Sequence, residues 1–422
     1  MDAGKCGTDA SKATHTITID ETDYCCKMQL ECYDHIKGMH ESSMADWKYR
    51  TIYYDNQIQC VEFDGSPNRD LCLCDKRAAE CFKGALSSYS YDKKDMSLSS
   101  DCQPKVTDIA LRWNPVGVTV AGTTGMPGAA QNLLNAPHSL AMDSTNALYI
   151  CDAGNSRIQK WVPGASNGTT VAGQANGAAG SSDAHFNRPS GIAIDSDGNV
   201  FVVDTYNHRV QIWRKDALSG STVAGVTGSF GLPNDRLYHP FGAARDPRTG
   251  TLYIADYDNH RVMSYLSGSS SGTVVAGGNG PGLKNTQLLY PIAVALDMSS
   301  ESLLIVNWRG HNIVRWKLGS NSWTIAAGNI NGGAGTTSMH LNSPRDVAID
   351  RWGNLYVADT NNQRIQFFKA GELNGTTIAG ITSAIGNVAT QLYFPHSLIL
   401  DNELNLYVSD NHNHRVQKFM RY

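Results

Sequence analysis

The chain has 422 residues, with 35 Lys and Arg against 39 Asp and Glu and a formal charge of −4. At roughly 150 residues per domain this length predicts two or three domains. The near-neutral balance excludes recruitment of nucleic acid by bulk charge, and the absence of any run of ~18 apolar residues excludes a helical membrane span. Ten cysteines are present; nine precede residue 103 and the tenth is Cys151. This crowding excludes one homogeneous domain. It predicts a disulfide-rich module at 1–105 and then a region, 106–422, of a different kind. The opening MDAGKCGTDA has no apolar signal-peptide core, so either a secretory signal has been removed or the chain starts inside a longer one.

In the front module, Cys25 and Cys32 are seven residues apart, as are Cys74 and Cys81. Seven residues is about two helical turns, which puts each pair on one helix face. Two antiparallel helices could then be stapled twice, Cys25 to Cys81 and Cys32 to Cys74. Between them, WKYRTIYYDNQIQCVEF carries β-type residues on both sides of Asp55-Asn56 and reads as a hairpin.

These residues resemble secreted phospholipase A2 over roughly residues 5–95. Cys25-Cys26 and then Cys32-Tyr33 match that family's first long-helix pattern, CCxxHDxCY. Leu71-Cys72-Leu73-Cys74-Asp75, Ala78-Ala79 and Cys81-Phe82 match its second-helix pattern, and Asp20 and Asp23 match the lead-in. The resemblance implies the pairings Cys6–Cys26, Cys25–Cys81, Cys32–Cys74 and Cys60–Cys72. Cys102 and Cys151 are left over, and are expected to pair and bolt the module to the second region. The resemblance also implies a histidine general base beside a Ca²⁺-binding aspartate. Here those positions hold Gln29, whose amide takes up no proton near neutral pH, and Leu30, which cannot ligate a hard cation. The Ca²⁺ loop survives only as Cys6-Gly7. Asp75 and Tyr33 remain, Asp75 with no imidazole to orient, and His35 and His40 sit off the required position. The expectation is a pseudoenzyme module.

The rest of the chain repeats. Pro137, Pro189, Pro240, Pro291, Pro344 and Pro395 are spaced 52, 51, 51, 53 and 51 apart, and each opens a phrase closed by Asp143, Asp195, Asp246, Asp297, Asp350 or Asp401. A second phrase comes next, as in LYICDAGNSRIQKW and VFVVDTYNHRVQIW, and then a third, as in TTVAG and STVAG. Each repeat thus holds four short β-type runs. Four strands repeated six times predict an all-β propeller of six blades, because one four-stranded blade cannot cover both its faces alone. An α-solenoid would need long stretches of 3.6 periodicity, which are absent. The sixth repeat stops at Tyr422 without its last phrase, and an orphan TVAG lies at Thr119 to Gly122. A closing strand at about 116–122 is therefore expected to complete the last blade. IALRW, Ile109 to Trp113, reads either as a further strand or as a lead-in.

The D-x-x-x-x-R-[IV] phrase, preceded by P-x-x-[IV]-x-x-D, resembles the NHL repeat over about 300 residues. The resemblance implies a six-bladed propeller with a narrow central channel, of the kind that serves as a binding platform. Asp152, Asp204, Asp256, Asp359 and Asp410 precede Arg157, Arg209, Arg261, Arg364 and Arg415 by five residues, whereas blade four has Asn307 and Asn312. Loss of both charges together is the pattern of buried structural pairs, since losing one would strand the other.

His138 and His396 both come directly after the repeat proline, while the equivalent residues elsewhere are Ser190, Phe241, Ile292 and Arg345. A zinc site wants three protein ligands; two imidazoles read as polar channel lining, with a metal as the alternative. Channel histidines with zinc occur in propeller lyases that cleave hydroxyglycine peptides. His208, His260 and His414 read as repeat-consensus residues. Asn167 and Asn374 head N-G-T sequons just before an outer strand and are expected to be glycosylated. After position 105 there are 22 basic and 21 acidic residues, with no basic stripe for nucleic acid. The sequence therefore points to a secreted, extracellular, non-enzymatic binding or assembly protein with a protein or glycan partner, or self-assembly, and no cofactor. The alternative is an enzyme, either a residual Ca²⁺-dependent phospholipid hydrolase or a channel-metal lyase.

Overall fold

The computed structural model describes residues 111–422 in full and, before them, the backbone of Arg50–Tyr54, Gln57–Val61 and Cys72–Asp75. The chain divides into two compact units, Met1–Ala110 and Leu111–Tyr422. In the first, the three described strands form an antiparallel sheet in chain order, with Ile52 opposite Gln59 and Cys60 opposite Cys72. The hairpin expected around Asp55-Asn56 is present as its first two strands. Cys72–Asp75, expected to open the second helix, is instead a strand. Its Cys-Leu-Cys alternation has the period of two that suits a strand edge. Gln29, Leu30, Tyr33, His35 and His40 lie outside the described residues, as do Cys6, Cys25, Cys26, Cys32, Cys81 and Cys102.

The second unit is six four-stranded antiparallel blades. The first blade shows the plan: an inner strand Pro137–Met142, then Leu148–Asp152, Arg157–Trp161 and an outer strand Thr169–Gly173. The second strand is buried at every position and the outer strand at only one. This gradient is why the second phrase is the most apolar and the third contains exposed threonines. The sixth blade has Pro395–Leu400, Leu406–Asp410 and Arg415–Phe419, and takes its outer strand from Val118–Gly122. The lead-in continues this closure: Trp113 bridges Arg421, and its indole N–H donates to the Leu404 carbonyl at 2.8 Å.

Apolar cores lie between blades, not within them. One joins Cys151, Ile158 and Phe186 to Ile192, Val202 and Trp213 of the second blade. Another joins Tyr407 and Val416 of the sixth blade to Leu140, Ile150 and Trp161 of the first, so the ring has no dry gap. A second lock is polar. The residue before each repeat proline has positive φ, from +43° at His239 to +51° at Tyr290 and Phe394. Its N–H points back to the preceding blade and is accepted there by a side chain that caps a one-turn 3₁₀ helix. His208 Nδ1 accepts from His239 N (3.2 Å), His260 from Tyr290 (3.1 Å), His311 from Ser343 (2.9 Å) and His414 from Ala136 (3.1 Å). Gln363 Oε1 does the same for Phe394 at 2.7 Å. Each TVAG-type strand ends on glycine for a matching reason: at Gly225 φ is +78° and a Cβ would collide with the His208 carbonyl.

Candidate functional site

The inner strands of successive blades touch one another around the ring. The positions after the six prolines therefore meet on its axis. His138, Ser190, Phe241, Ile292, Arg345 and His396 line one cavity of about 60 Å³, together with Asp346 and Ser397. The His138 and His396 rings are 4.4 Å apart in an edge-to-face arrangement, and His412 at the mouth lies 6.5 Å from His396. Burial first, and then the Arg345 charge, push His138 down to about 3 and His396 well below the ordinary imidazole range. Both rings are neutral at physiological pH. The Nδ1 of His396 is buried without a hydrogen-bond partner.

Arg345 is the one charged residue among the six positions after the prolines. Its guanidinium makes no hydrogen bond or ion pair with any described residue; it lies 5.7 Å from the centroid of the Trp308 ring. Burial pulls it down to about 10, which still leaves it charged. The neighbouring Asp346 turns to the sixth blade. There it accepts from Ser397 Oγ (2.6 Å) and Leu398 N (3.1 Å), and burial pushes its carboxyl up to about 6. Above the cavity Tyr257 packs against Phe241 and Tyr290, both 4.9 Å away, and against Trp308 at 5.9 Å. Arg309 covers Trp308 at 4.1 Å. Asp258 at this mouth is taken by His239 Nδ1 at 2.7 Å.

The positions after the other prolines give the two channel histidines no third ligand. The other four blades offer Ser190, Phe241, Ile292 and Arg345, and no group of three His, Cys, Asp or Glu suited to an ion exists among the described residues. A guanidinium beside the pair further disfavours a cation. A wider, open depression of about 810 Å³ lies along blade four around Ser299, Ser300 and Lys317; its Arg315 is held by Asp297, and it gathers no reactive group.

The aspartates and arginines five residues apart form buried ion pairs: Asp152–Arg157 and Asp359–Arg364 at 2.8 Å, Asp204–Arg209 at 2.9 Å, Asp256–Arg261 at 2.7 Å and Asp410–Arg415 at 2.8 Å. They clamp the inter-blade loops. Asp152 accepts from Asn135 N, while Arg157 donates to the carbonyls of Ala129 and Ala175. Blade four substitutes a neutral pair, with Asn307 Nδ2 donating to Asn312 Oδ1 at 3.3 Å. Sequence reasoning missed the third member of this cluster, Asn155 in the first blade and Asn207 in the second, although its fixed place two residues before the arginine was a visible signal.

The expected Cys102–Cys151 bolt is corrected. Cys151 is a free thiol, fully buried between the first and second blades, and its Sγ donates to the Pro189 carbonyl at 2.9 Å. Ser409 holds the equivalent place in the sixth blade and donates to the Pro137 carbonyl at 2.6 Å. Cys151 is thus an inter-blade donor with no exposed path for a bridge. Asn167 and Asn374 are both exposed in turns before outer strands.

Known proteins match the chain along the same division. Residues 4–94 match the phospholipase A2 family model, and 134–161, 186–213, 341–368 and 392–419 match the NHL repeat, which are blades one, two, five and six. Human group IID secretory phospholipase A2 is 37% identical over 70 residues, 17% of this chain and 48% of that protein. Mouse peptidyl-glycine alpha-amidating monooxygenase is 23% identical over 244 residues, 56% of this chain and 23% of that protein. The chain thus spans about half the length of the first relative and about a quarter of the second. A structural genomics protein of Bacteroides thetaiotaomicron shares the propeller fold with a TM-score of 0.56 at 12% identity, over 73% of this chain and 76% of that one.

Proposed function

We propose that this chain, in which a phospholipase A2-like module precedes a six-bladed NHL-repeat propeller, is a secreted, non-enzymatic binding or assembly protein. It would serve as a component of a matrix, coat or surface filament, or as a ligand-recognition protein. The observation that carries the non-enzymatic reading is Gln29-Leu30. These residues stand where the phospholipase resemblance places the proton acceptor and the Ca²⁺ ligand, so neither water activation nor carbonyl polarisation has a group to perform it. Secretion is supported by nine cysteines in the first 102 residues and by two exposed sequons at equivalent rim positions. Of the proposed bridges, Cys60–Cys72 is supported by the strand register, since directly opposed residues lie within disulfide reach.

A channel-metal lyase fits less well, because the axis offers two imidazoles and a guanidinium where a zinc site needs a third ligand. The test is a Ca²⁺-dependent phospholipid hydrolysis assay of the purified chain beside an active secreted phospholipase A2. The expected rate is that of the no-enzyme blank. Turnover within about 10²-fold of the active enzyme, the lower range of what one general base contributes, would overturn the reading.

A further inference from the structure

We propose that the axial channel of the propeller binds a carboxylate carried on a flat apolar group, with the Arg345 guanidinium as its anchor. The inference names a ligand class for the binding reading above, but rests on the propeller alone. A charged guanidinium set into a channel without a carboxylate or carbonyl partner is costly unless something else supplies the acceptors. Every comparable arginine of the repeat, such as Arg157 and Arg209, is saturated by an aspartate and loop carbonyls. Arg345 has no such partner, and it stands at the position that faces the axis.

Its surroundings select an anion. The nearby carboxylates are engaged elsewhere, Asp258 by His239 and Asp346 by Ser397. Arg188, close enough to depress His138, and Arg309 add positive charge, while Asp346 turns its carboxylate to neutral donors of the sixth blade. Neutral His396 lines the same cavity and adds no charge to it. The cavity, about 60 Å³, has room for the two oxygens of a carboxylate, and the body that carries them stays at its mouth. A guanidinium takes such a planar anion in a two-bond fork. The body attached to the carboxylate meets Tyr257, Trp308 and Phe241, a wall with few hydrogen-bonding groups, so a flat apolar group fits and a polyhydroxylated one does not.

The test is calorimetric titration of the full chain with indole-3-acetate and with its uncharged amide. A second arm uses a short peptide ending in phenylalanine, with a free or an amidated C-terminus, to separate a small free acid from a chain end. The acid form of at least one probe is expected to bind at least about tenfold tighter than its amide, as loss of a charge-assisted contact gives. Arg345→Gln should erase that preference, while Arg351→Gln, on an exposed turn over Trp352, changes affinity by less than about threefold. If Arg345→Gln fails to fold, the acid-over-amide preference of the unaltered chain still decides. Equal binding of acid and amide, no binding by any probe, or binding of galacturonate in preference to both acids would overturn the proposal. None of these results depends on whether the N-terminal module hydrolyses lipid.

Discussion

Asp204 and Arg209 are both fully buried and 2.9 Å apart, so neither has water to fall back on. Removing one charge strands the other. Asp204→Asn is expected to destabilise the propeller by about 3–5 kcal/mol, read as a shift of the denaturant midpoint. The double change Asp204→Asn with Arg209→Asn should cost less than the single one, because blade four already runs on Asn307 and Asn312. A double variant that costs the sum of the two single changes would show the pair to be uncoupled. Cys151 obeys the same logic of local replacement. Its thiol and the Ser409 hydroxyl each donate to the proline carbonyl of the next blade, so the residue type varies while the donor persists.

At the scale of the element, the one-turn 3₁₀ helix is a coupling device. In four blades its cap is a histidine whose Nδ1 accepts a backbone N–H from the next blade. An imidazole can accept at Nδ1 only while unprotonated. Burial lowers the pKa of His208, His260, His311 and His414 below the ordinary value. The unfolded chain therefore takes up protons first as pH falls. Each such group contributes stability in full above about 6.5 and loses it progressively at lower pH. Replacing these four histidines by glutamine, the cap that blade five uses at Gln363, should flatten the loss of stability between pH 8 and pH 5. Denaturant midpoints at the two pH values measure it; an unchanged slope would assign the acid sensitivity to other groups.

For the molecule as a whole, the architecture was legible because every blade solves the same packing problem with the same three phrases. The 51–53-residue proline spacing and the unfinished sixth repeat are the linear image of a closed ring. What stayed hidden was set by contacts between distant residues. Arg345 is visible as a departure from its neighbours, but its lack of a partner exists only once six inner strands converge. Cys151 was misread because counting pairs cysteines, whereas its burial between two blades is a property of the fold. Cys72–Asp75 was misread because cysteine spacing suits a helix and its alternation suits a strand. The closure itself makes the last prediction. A fragment of 111–422 keeps Val118–Gly122 against Arg415–Phe419, and also the Trp113–Arg421 bridge. It is expected to be monomeric by light scattering. A fragment of 124–422 leaves Arg415–Phe419 as a bare strand edge and exposes the core shared by Ala121, Val416 and Leu134. It should self-associate and melt earlier, because an unpaired strand edge is a template for another chain. If the shorter fragment stays monomeric with an unchanged melting temperature, the ring is held by its inter-blade cores and the closing strand is dispensable.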